Sequence, residues 1–505
     1  MKIFSKLTLI VFVVFGLAAC DKNSDAPDKP ETGGGNKPKP EEPELNVKMP
    51  RKEMRAVWIA TVANIDWPKN IYNMESQKKE FIEYLDLFVK YNVNAVVMQV
   101  RPMADAFYNS ELEPWSKYIT GTQGKDPGYD VMQFMIDETH KRGLEFHAWL
   151  NPYRISNNVY AFEPAPNHIY RKHPEWTMRY GKKLMFRPAL PQVREYLVKV
   201  VDDLIFKYDV DGIHFDDYFY PYPERNTTID DDGDFIEYGS GFDNIEDFRR
   251  DNVNKAIEAV HNLLVQKKPG ILFSVSPYGV WRNKSEDPVR GSDSSTSLSN
   301  YDDLYADILL WCEKGWIDLV VPQLYATTKN YAMNFTKMSS WWAKNTYDCN
   351  LAIGYGIYRF GNPAEGNIYV NSPVELENEF FHARRQKKVN GSFLYNATVF
   401  KENKVNILSN LWNVYSERVL IPFMGRDTDL APQKITSISA ENKTMFWKAQ
   451  NGMRYVIYKI ADGTAVIKDI VKENRYECTE SGEYSVSVLN RDNRESPLSK
   501  IVIVH

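Results

Sequence analysis

The sequence predicts an α/β fold, a (β/α)8 TIM barrel followed by a small all-β sandwich. From Met54 onward, short apolar runs alternate with amphipathic segments, and eight such runs precede residue 400. No glycine-rich phosphate-binding turn follows the first run, which favours a closed barrel over a doubly wound sheet. From about Lys434 the pattern changes to the period-two alternation of antiparallel strands. We therefore expect a barrel over residues 49–425 and a sandwich over residues 433–505.

The eight apolar runs are the predicted barrel strands, and amphipathic segments between them are the predicted helices. The runs cover residues 55–62, 94–101, 144–151, 210–217, 271–277, 317–325, 351–358 and 391–395. The helical pattern is clear over residues 77–91, 129–142 and 192–208. Gly143 follows the second of these helices, as a glycine at a helix C-terminus does.

Composition limits the function before any motif is considered. The chain has 505 residues, of which 43% are hydrophobic and 26% charged, as is typical of a globular protein with one large and one small domain. A net charge of −5 gives no basis for binding nucleic acid. The 4 cysteines include no Cys-x-x-Cys pair, so neither a disulfide scaffold nor a structural zinc site is expected. The 12 Trp, 31 Tyr and 25 Phe supply material for the walls of a site.

The N-terminus has the pattern of a bacterial lipoprotein signal peptide over residues 1–20. Two lysines precede an apolar run, which ends in Leu17-Ala18-Ala19-Cys20. We expect Cys20 to be lipidated and to anchor the protein to a membrane, most simply the outer membrane, on its periplasmic or surface face. The alternative is an ordinary signal peptide with a cysteine nearby. Residues 21–48 are rich in Pro, Lys, Glu and Gly and are predicted to form a disordered tether.

Strand parity predicts a site inside the barrel mouth. Alternate residues of a strand point to the same side, and the apolar set, such as Phe146, Ala148 and Leu150, is expected to face the helices. The opposite set is polar near the end of five runs. It consists of Gln99 and Arg101, His147 and Asn151, His214 and Asp216, Ser274 and Ser276, and Gln323 and Tyr325. Buried polar groups are costly unless they bind one another or a ligand, and barrel enzymes have their sites at the C-terminal mouth.

Asp216 is the main catalytic candidate, because it ends the fourth run on the inward parity. A carboxylate there can attack a sugar C1 or activate water. The alternative is a buried ion pair with Arg101, and we expect both Arg101 and His147 close to Asp216. Asp217 points the other way unless the strand has already ended. Asp105 is a second acid in the loop after the second run, although a loop aspartate often caps a turn.

The remaining candidates are predicted to bind substrate. His147 and His214 are expected to form hydrogen bonds with it rather than to bind a metal, because no third histidine ends a strand. Aromatic rings crowd the same loops, and rings beside acids and amides suit sugars. These candidates include Trp115, Tyr153, Tyr218, Tyr278 and Tyr325. We expect a long glycan-binding groove with no cofactor and no metal, and the oligomeric state stays open.

Several ordered motifs carry a resemblance to a known family. They include Arg55-Ala56-Val57-Trp58, Gln99-Val100-Arg101-Pro102, Glu113-Pro114-Trp115-Ser116, Asn151-Pro152-Tyr153-Arg154, residues 211–221 and Pro322-Gln323-Leu324-Tyr325. Over residues 54–400 the chain resembles the glycosyl hydrolase-like family ten, bacterial (β/α)8 barrels related to α-amylase-type glycosidases. The resemblance implies a glycosidase that acts on peptidoglycan strands stripped of their stem peptides. The C-terminal module resembles a fibronectin type III domain and is expected to be a spacer or docking surface.

The sequence departs from related barrels at the proton donor. Amylase-type barrels have a Glu at the end of the fifth strand, where this chain has residues 274–278 without one. Chitinase-type barrels have a Glu at the position of Tyr218. Asp105 and then Asp217 are the candidate donors.

Taken together, the signal peptide, the predicted site and the family resemblance lead us to expect an envelope-anchored glycoside hydrolase for peptidoglycan or a related amino-sugar glycan. The alternatives are a non-catalytic carbohydrate-binding lipoprotein and a hydrolase of imported plant or host polysaccharide.

Overall fold

The computed structural model describes residues 46–69, 72–426 and 431–505, and its main feature is a closed barrel of eight parallel strands. The barrel strands are β1 (Met54–Ile59), β2 (Ala95–Arg101), β3 (Glu145–Leu150), β7 (Gly212–Phe215), β8 (Leu272–Val275), β9 (Leu319–Val320), β10 (Asn350–Tyr355) and β11 (Val389–Leu394). They follow one another around the barrel in chain order, and β11 closes on β1. The predicted barrel is confirmed, and each predicted run overlaps one of its strands.

Helices alternate with these strands around the barrel. They are α1 (Met74–Lys90), α2 (Lys117–Thr120), α3 (Val131–Lys141), α4 (Ile169–Lys172), α5 (Pro191–Lys207), α6 (Asp232–Tyr238), α7 (Ile245–Lys267), α8 (Ile308–Glu313), α9 (Phe335–Asn345), α10 (Asn367–Asn371), α11 (Glu375–Arg384), α12 (Thr398–Glu402) and α13 (Ile407–Tyr415). Helix α1 begins earlier than predicted because the Asn73 side chain caps it, accepting the backbone N–H of Ser76 at 3.0 Å.

Strand parity sorts the barrel side chains as predicted. Phe146, Ala148 and Leu150 of β3 are fully buried in the large core that the strands share with the helices. The inward set forms a separate apolar cluster, which includes Met54, Ala56, Trp58, Val97, Trp149 and Phe393. Burying a large apolar side chain stabilises a fold by about 1.5–3 kcal/mol, so the two cores together hold the barrel rigid beneath its mouth.

An additional antiparallel sheet, which the sequence analysis did not predict, lies between β3 and α5 in the chain. Its strands are β4 (Arg154–Ser156), β5 (Thr177–Tyr180) and β6 (Lys183–Phe186), with β6 in the middle. The backbone N–H of Phe186 donates to the carbonyl of Tyr153 at 2.9 Å. This bond fixes the loop that follows β3, on which Asn151 lies.

The C-terminal residues form two antiparallel sheets, as predicted. One sheet has the order β12-β13-β16 and the other β15-β14-β17-β18. The strands are β12 (Ile438–Glu441), β13 (Thr444–Trp447), β14 (Arg454–Ala461), β15 (Thr464–Val471), β16 (Arg475–Glu477), β17 (Gly482–Leu489) and β18 (Val502–Val504). Both sheets contribute to one core, with Ile438 and Trp447 from the first and Ile457 and Val486 from the second. The Tyr484 hydroxyl donates to a backbone carbonyl four residues upstream at 3.0 Å, the geometry of a tyrosine corner.

The predicted signal peptide, Cys20 and most of the tether lie outside the described residues. The tether ends earlier than the predicted residue 48, because Lys48 forms backbone hydrogen bonds with Gly463 and Ala465 at 2.8 and 3.0 Å. This pairing covers the outer edge of β15, a constraint that composition does not reveal. No helix in the described part of the chain is long and apolar enough to cross a membrane. The thiols of Cys312, Cys349 and Cys478 are all free and buried.

Candidate active site

A cleft of about 440 Å³ opens at the C-terminal mouth of the barrel. Seven of the eight barrel strands contribute a side chain to it, either from the strand or from the loop that follows; the exception is β2. The lining residues are Trp58, Trp149, Asp216, Asp217, Tyr218, Tyr222, Ser276, Tyr278, Gln323, Tyr325, Met333, Tyr358, Arg359 and Tyr395. The volume lies within the range of ligand-binding pockets, and the lining combines aromatic rings with a small number of polar groups.

Asp216 lies on the floor of this cleft, and N–H groups surround its carboxylate. One oxygen accepts from the Asn151 amide at 3.1 Å and from the backbone N–H of Tyr218 at 3.3 Å. The other accepts from the Trp149 indole at 3.0 Å and from the Asn151 amide at 3.1 Å. Burial raises the pKa of Asp216 above its ordinary value, while the positive charge of Arg154 and these donors act in the opposite direction. The carboxylate therefore has one fixed orientation.

Asp217 also faces the cleft, because β7 ends at Phe215 and the period-two alternation stops before these two residues. The Tyr222 hydroxyl donates a hydrogen bond to its carboxylate. Burial and the neighbouring charge of Asp216 raise the pKa of Asp217 to about 7, against the opposing effect of Tyr222. The two adjacent carboxyl groups thus have different hydrogen-bond donors, and titratable groups in different environments are the pattern expected of an acid and a base or nucleophile.

His214 lies below the floor and is neutral. The Trp58 indole, which can only donate, contacts its Nε2 at 3.1 Å, so Nε2 is the acceptor and Nδ1 carries the proton. Nδ1 lies 2.8 Å from the Ser274 hydroxyl, and Nε2 lies 2.9 Å from that of Ser276. Burial lowers the pKa of His214 well below its ordinary value. The imidazole therefore connects β1, β7 and β8 beneath the cleft and does not line it.

Among the described residues, neither Arg101 nor His147 forms a hydrogen bond or an ion pair with Asp216. Arg101 is fully buried and pairs with Glu113 at 2.6 Å, so the ion pair considered for Asp216 does not form. Arg101 donates to the backbone carbonyl oxygen of Asn151 at 2.6 Å, and the side chain of Asn151 in turn binds Asp216. His147 lies near the start of its strand, where it contacts Glu145 at 3.0 Å. A Cβ on the facing Gly212 would lie 2.0 Å from the imidazole, so only glycine fits there.

Asp105 does not line the cleft. Its carboxylate accepts from the Gln123 amide at 3.1 Å, and burial raises its pKa to about 6. Gln99 is also directed elsewhere, because its side-chain oxygen accepts the backbone N–H groups of Thr61 and Val62 at 3.1 and 2.9 Å. Gln99 therefore fixes the loop that follows β1.

The aromatic candidates divide into two groups. Tyr218, Tyr278 and Tyr325 line the cleft, whereas Trp115 packs against the core and Tyr153 is fully buried within it. Of the polar candidates, Gln323 lines the cleft and Asn151 supports Asp216 from the side. The Gln323 amide also donates to the Ser276 carbonyl at 2.9 Å.

Sequence reasoning missed several residues that line the cleft. Trp149 lies between His147 and Asn151 on the same parity, so the strand pattern could have identified it. Tyr222 and Tyr395 lie in loops that follow strands, Tyr358 lies in a short 3-10 helix after β10, and no periodicity indicates where they point. Tyr395 stacks on Tyr325 with ring centroids 6.0 Å apart, and Tyr358 packs edge-on against Tyr395 with centroids 5.6 Å apart. These rings form one wall of the cleft.

The described residues contain no cluster of three or more His, Cys, Asp or Glu side chains suited to a metal ion. The polar groups of the residues that line the cleft are two carboxyl groups, the amide of Gln323, the hydroxyls of Ser276 and of the tyrosines, two tryptophan indoles and the guanidinium of Arg359. Arg359 is already paired with Glu365 through its Nε at 2.7 Å. This set can bind hydroxyl and amide groups and can transfer a proton.

A family model and several named proteins match this chain. The family model described as glycosyl hydrolase-like 10 matches residues 53–368. Glycosyl hydrolase YngK of Bacillus subtilis is 41% identical over 389 residues, which cover 76% of each chain. Glycosyl hydrolase DigH of Escherichia coli is 34% identical over 415 residues, which cover 77% of this chain and 93% of DigH. The glycoside hydrolase domain of PgaB (BpsB) from Bordetella bronchiseptica has a TM-score of 0.46 and 12% identity, over 72% of this chain and 98% of that domain.

Proposed function

The chain belongs to the glycosyl hydrolase-like 10 family, and from this premise we propose that it cleaves glycosidic bonds in peptidoglycan or a related amino-sugar glycan. The observation that carries the proposal is the pair of adjacent carboxyl groups, Asp216 and Asp217, on the floor of one aromatic cleft. Sugars present C–H faces that stack on rings and hydroxyl groups that bind acids and amides. The cleft offers both kinds of contact.

The environments of the two aspartates support a division of roles. Asp217, whose pKa is raised to about 7 by burial and by the charge of Asp216, suits the general acid that protonates the leaving oxygen. Asp216 is held by the donors Trp149, Asn151 and the backbone of Tyr218, and suits the anion beside the anomeric carbon. It would act as the nucleophile or as the base towards water. This assignment moves Asp217 ahead of Asp105 as the proton donor.

The cell envelope is the proposed location. Lipidation of Cys20 would fix the protein to a membrane surface, and a tether rich in Pro, Lys and Glu would let the barrel reach the wall. Metabolic labelling with a fatty acid and fractionation of wild-type and Cys20→Ala cells test this. We expect label and membrane association in the wild type alone, and label in the variant would contradict the proposal.

Digestion of peptide-free glycan strands by the purified mature chain tests the activity. Wild-type protein is expected to release reducing ends, and Asp216→Asn or Asp217→Asn to lower the rate by about 100-fold or more. Asp105→Asn decides between the two acid candidates, because Asp105 is equally buried but does not line the cleft. A large loss in Asp105→Asn with activity kept in Asp217→Asn would reverse the assignment.

The same assay separates the alternative functions. A panel of plant and host polysaccharides, run in parallel, would identify a hydrolase for imported glycans by cleavage of those substrates instead. Binding to glycan strands without release of reducing ends from any substrate would identify a carbohydrate-binding protein. The absence of a Glu at the end of β8 is the feature that supports this last alternative.

A further inference from the structure

A second, smaller pocket adjoins the cleft at the same end of the barrel. Its volume is about 240 Å³, and its walls come from the loops after β1, β10 and β11. Tyr358 lines both this pocket and the cleft, so the two are neighbours across one ring. A volume below that of ordinary ligand sites suits one sugar ring rather than an independent ligand.

The pocket contains a polar side chain with no partner. Asn396 is 7% exposed and lines the pocket, and no side-chain hydrogen bond among the described residues involves its amide. An amide that lines a cavity and keeps its donor and acceptor free can bind a polar group of a ligand. Asn362 lines the same pocket, and only its oxygen is engaged, with the backbone N–H of Ala364 at 3.1 Å.

The wall that carries Asn396 is held rigidly. Asp66, which is fully buried, accepts the backbone N–H of Thr398 at 2.9 Å and its hydroxyl at 2.7 Å through one oxygen. Its other oxygen accepts the backbone N–H of Ala60 at 2.8 Å. These bonds join the loop after β11 to the loop after β1. A rigid wall loses little conformational entropy when a ligand binds, which favours binding.

We infer that this pocket is a further glycan subsite, in which Asn396 and Asn362 bind an acetamido-bearing sugar of the chain whose scissile bond lies in the cleft. The inference rests on the proposed function. An asparagine amide has both a donor and an acceptor, and an acetamido group presents the complementary acceptor and donor. Tyr358 lies between the two pockets, where it can contact the sugars on either side. The subsite would make the enzyme prefer chains long enough to occupy both pockets.

Chain-length dependence of the rate tests the inference. Peptide-free glycan strands and the disaccharide and tetrasaccharide fragments prepared from them are digested by wild-type protein and by Asn396→Ala. We expect wild-type kcat/KM to rise with chain length. We expect Asn396→Ala to lose three- to tenfold more kcat/KM on strands than on the shortest fragment that is cut, mostly through KM. Asn371→Ala, which alters an exposed asparagine of α10 that lines neither pocket, is the matched control.

The outcomes separate this inference from the proposed function. Equal losses on short and long substrates would show that Asn396 has a structural role, and unchanged kinetics on strands would show that the pocket is not a subsite. Either result overturns the inference while hydrolysis by the wild type stands. Failure of wild-type protein to cut any substrate overturns the proposed function, and the inference with it. A thermal melt of each variant verifies folding.

Discussion

Replacing Asp217 with Asn is expected to stabilise the protein while it removes the proposed general acid. The pKa of this buried carboxyl rises from 3.8 to about 7, because burial and the charge of Asp216 disfavour ionisation. Each pKa unit corresponds to 1.36 kcal/mol, so holding Asp217 ionised in the fold costs about 4 kcal/mol above pH 7. An asparagine has no charge to desolvate, and its oxygen can still accept the hydrogen bond from Tyr222.

The stabilisation depends on pH in a defined direction. The raised pKa means that the folded protein binds more protons than the unfolded chain between about pH 4 and pH 7. The wild type therefore loses stability as the pH rises through this window, whereas Asp217→Asn does not. The difference between them should be complete above pH 7 and should vanish near pH 4. For a barrel of roughly 370 residues, about 4 kcal/mol corresponds to a rise in Tm of roughly 5 °C.

Thermal denaturation at pH 8, 6 and 4 measures this effect directly. Asp216→Asn is the matched comparison, since it removes a charge from the adjacent position. Its rise in Tm is expected to be smaller, because both Asp216 oxygens accept N–H groups and the amide of the new asparagine would place a donor against a donor. The reasoning is refuted if Asp217→Asn melts at or below the wild type at pH 8, or if its advantage persists unchanged at pH 4.

Three further predictions follow from named contacts. Glu113→Gln should lower the free energy of unfolding in urea by about 3–5 kcal/mol, because it leaves the charge of Arg101 buried without a partner; a loss below 1 kcal/mol would contradict this. His214 should stay neutral with its proton on Nδ1 from pH 5 to pH 8 in ¹⁵N NMR spectra, and an imidazolium at pH 6 would be incompatible with its tryptophan donor. Tyr222→Phe should raise the pKa of Asp217 by removing a hydrogen bond that lowers it. The alkaline limb of the kcat/KM profile should then move up by about one pH unit, and an unmoved limb would separate Tyr222 from the acid.

The barrel could be predicted from the sequence because its signals are local. Apolar runs and period-two parity depend only on neighbouring residues, and they identified both the strands and the outward face of β3. The position of Asp216 at the mouth follows from the same parity, since it lies directly after β7. The site's location was therefore available before any contact was known.

The contacts of the site could not be predicted, because pairing between loops leaves no periodic signal. Arg101 has the parity of a cleft residue. Its guanidinium is nevertheless paired with Glu113, which lies in the loop that follows β2. His147 has the same parity as Asn151 but lies too deep in the barrel to reach the mouth. Parity gives the side of a strand on which a residue lies and says nothing about its height or its partner.

The position at which β7 ends explains why one strand can supply both carboxyl groups. Had the period-two alternation continued through Asp217, its carboxylate would point towards the helices and the cleft would hold a single acid. Because the strand ends at Phe215, two consecutive residues face the same space, and the chain separates their chemistry through their neighbours. Indole, amide and backbone N–H groups surround Asp216, whereas a phenol donates to Asp217. The acid proposed above is therefore assigned from the donors around each carboxyl group, and the assignment needs no Glu at a fixed strand position.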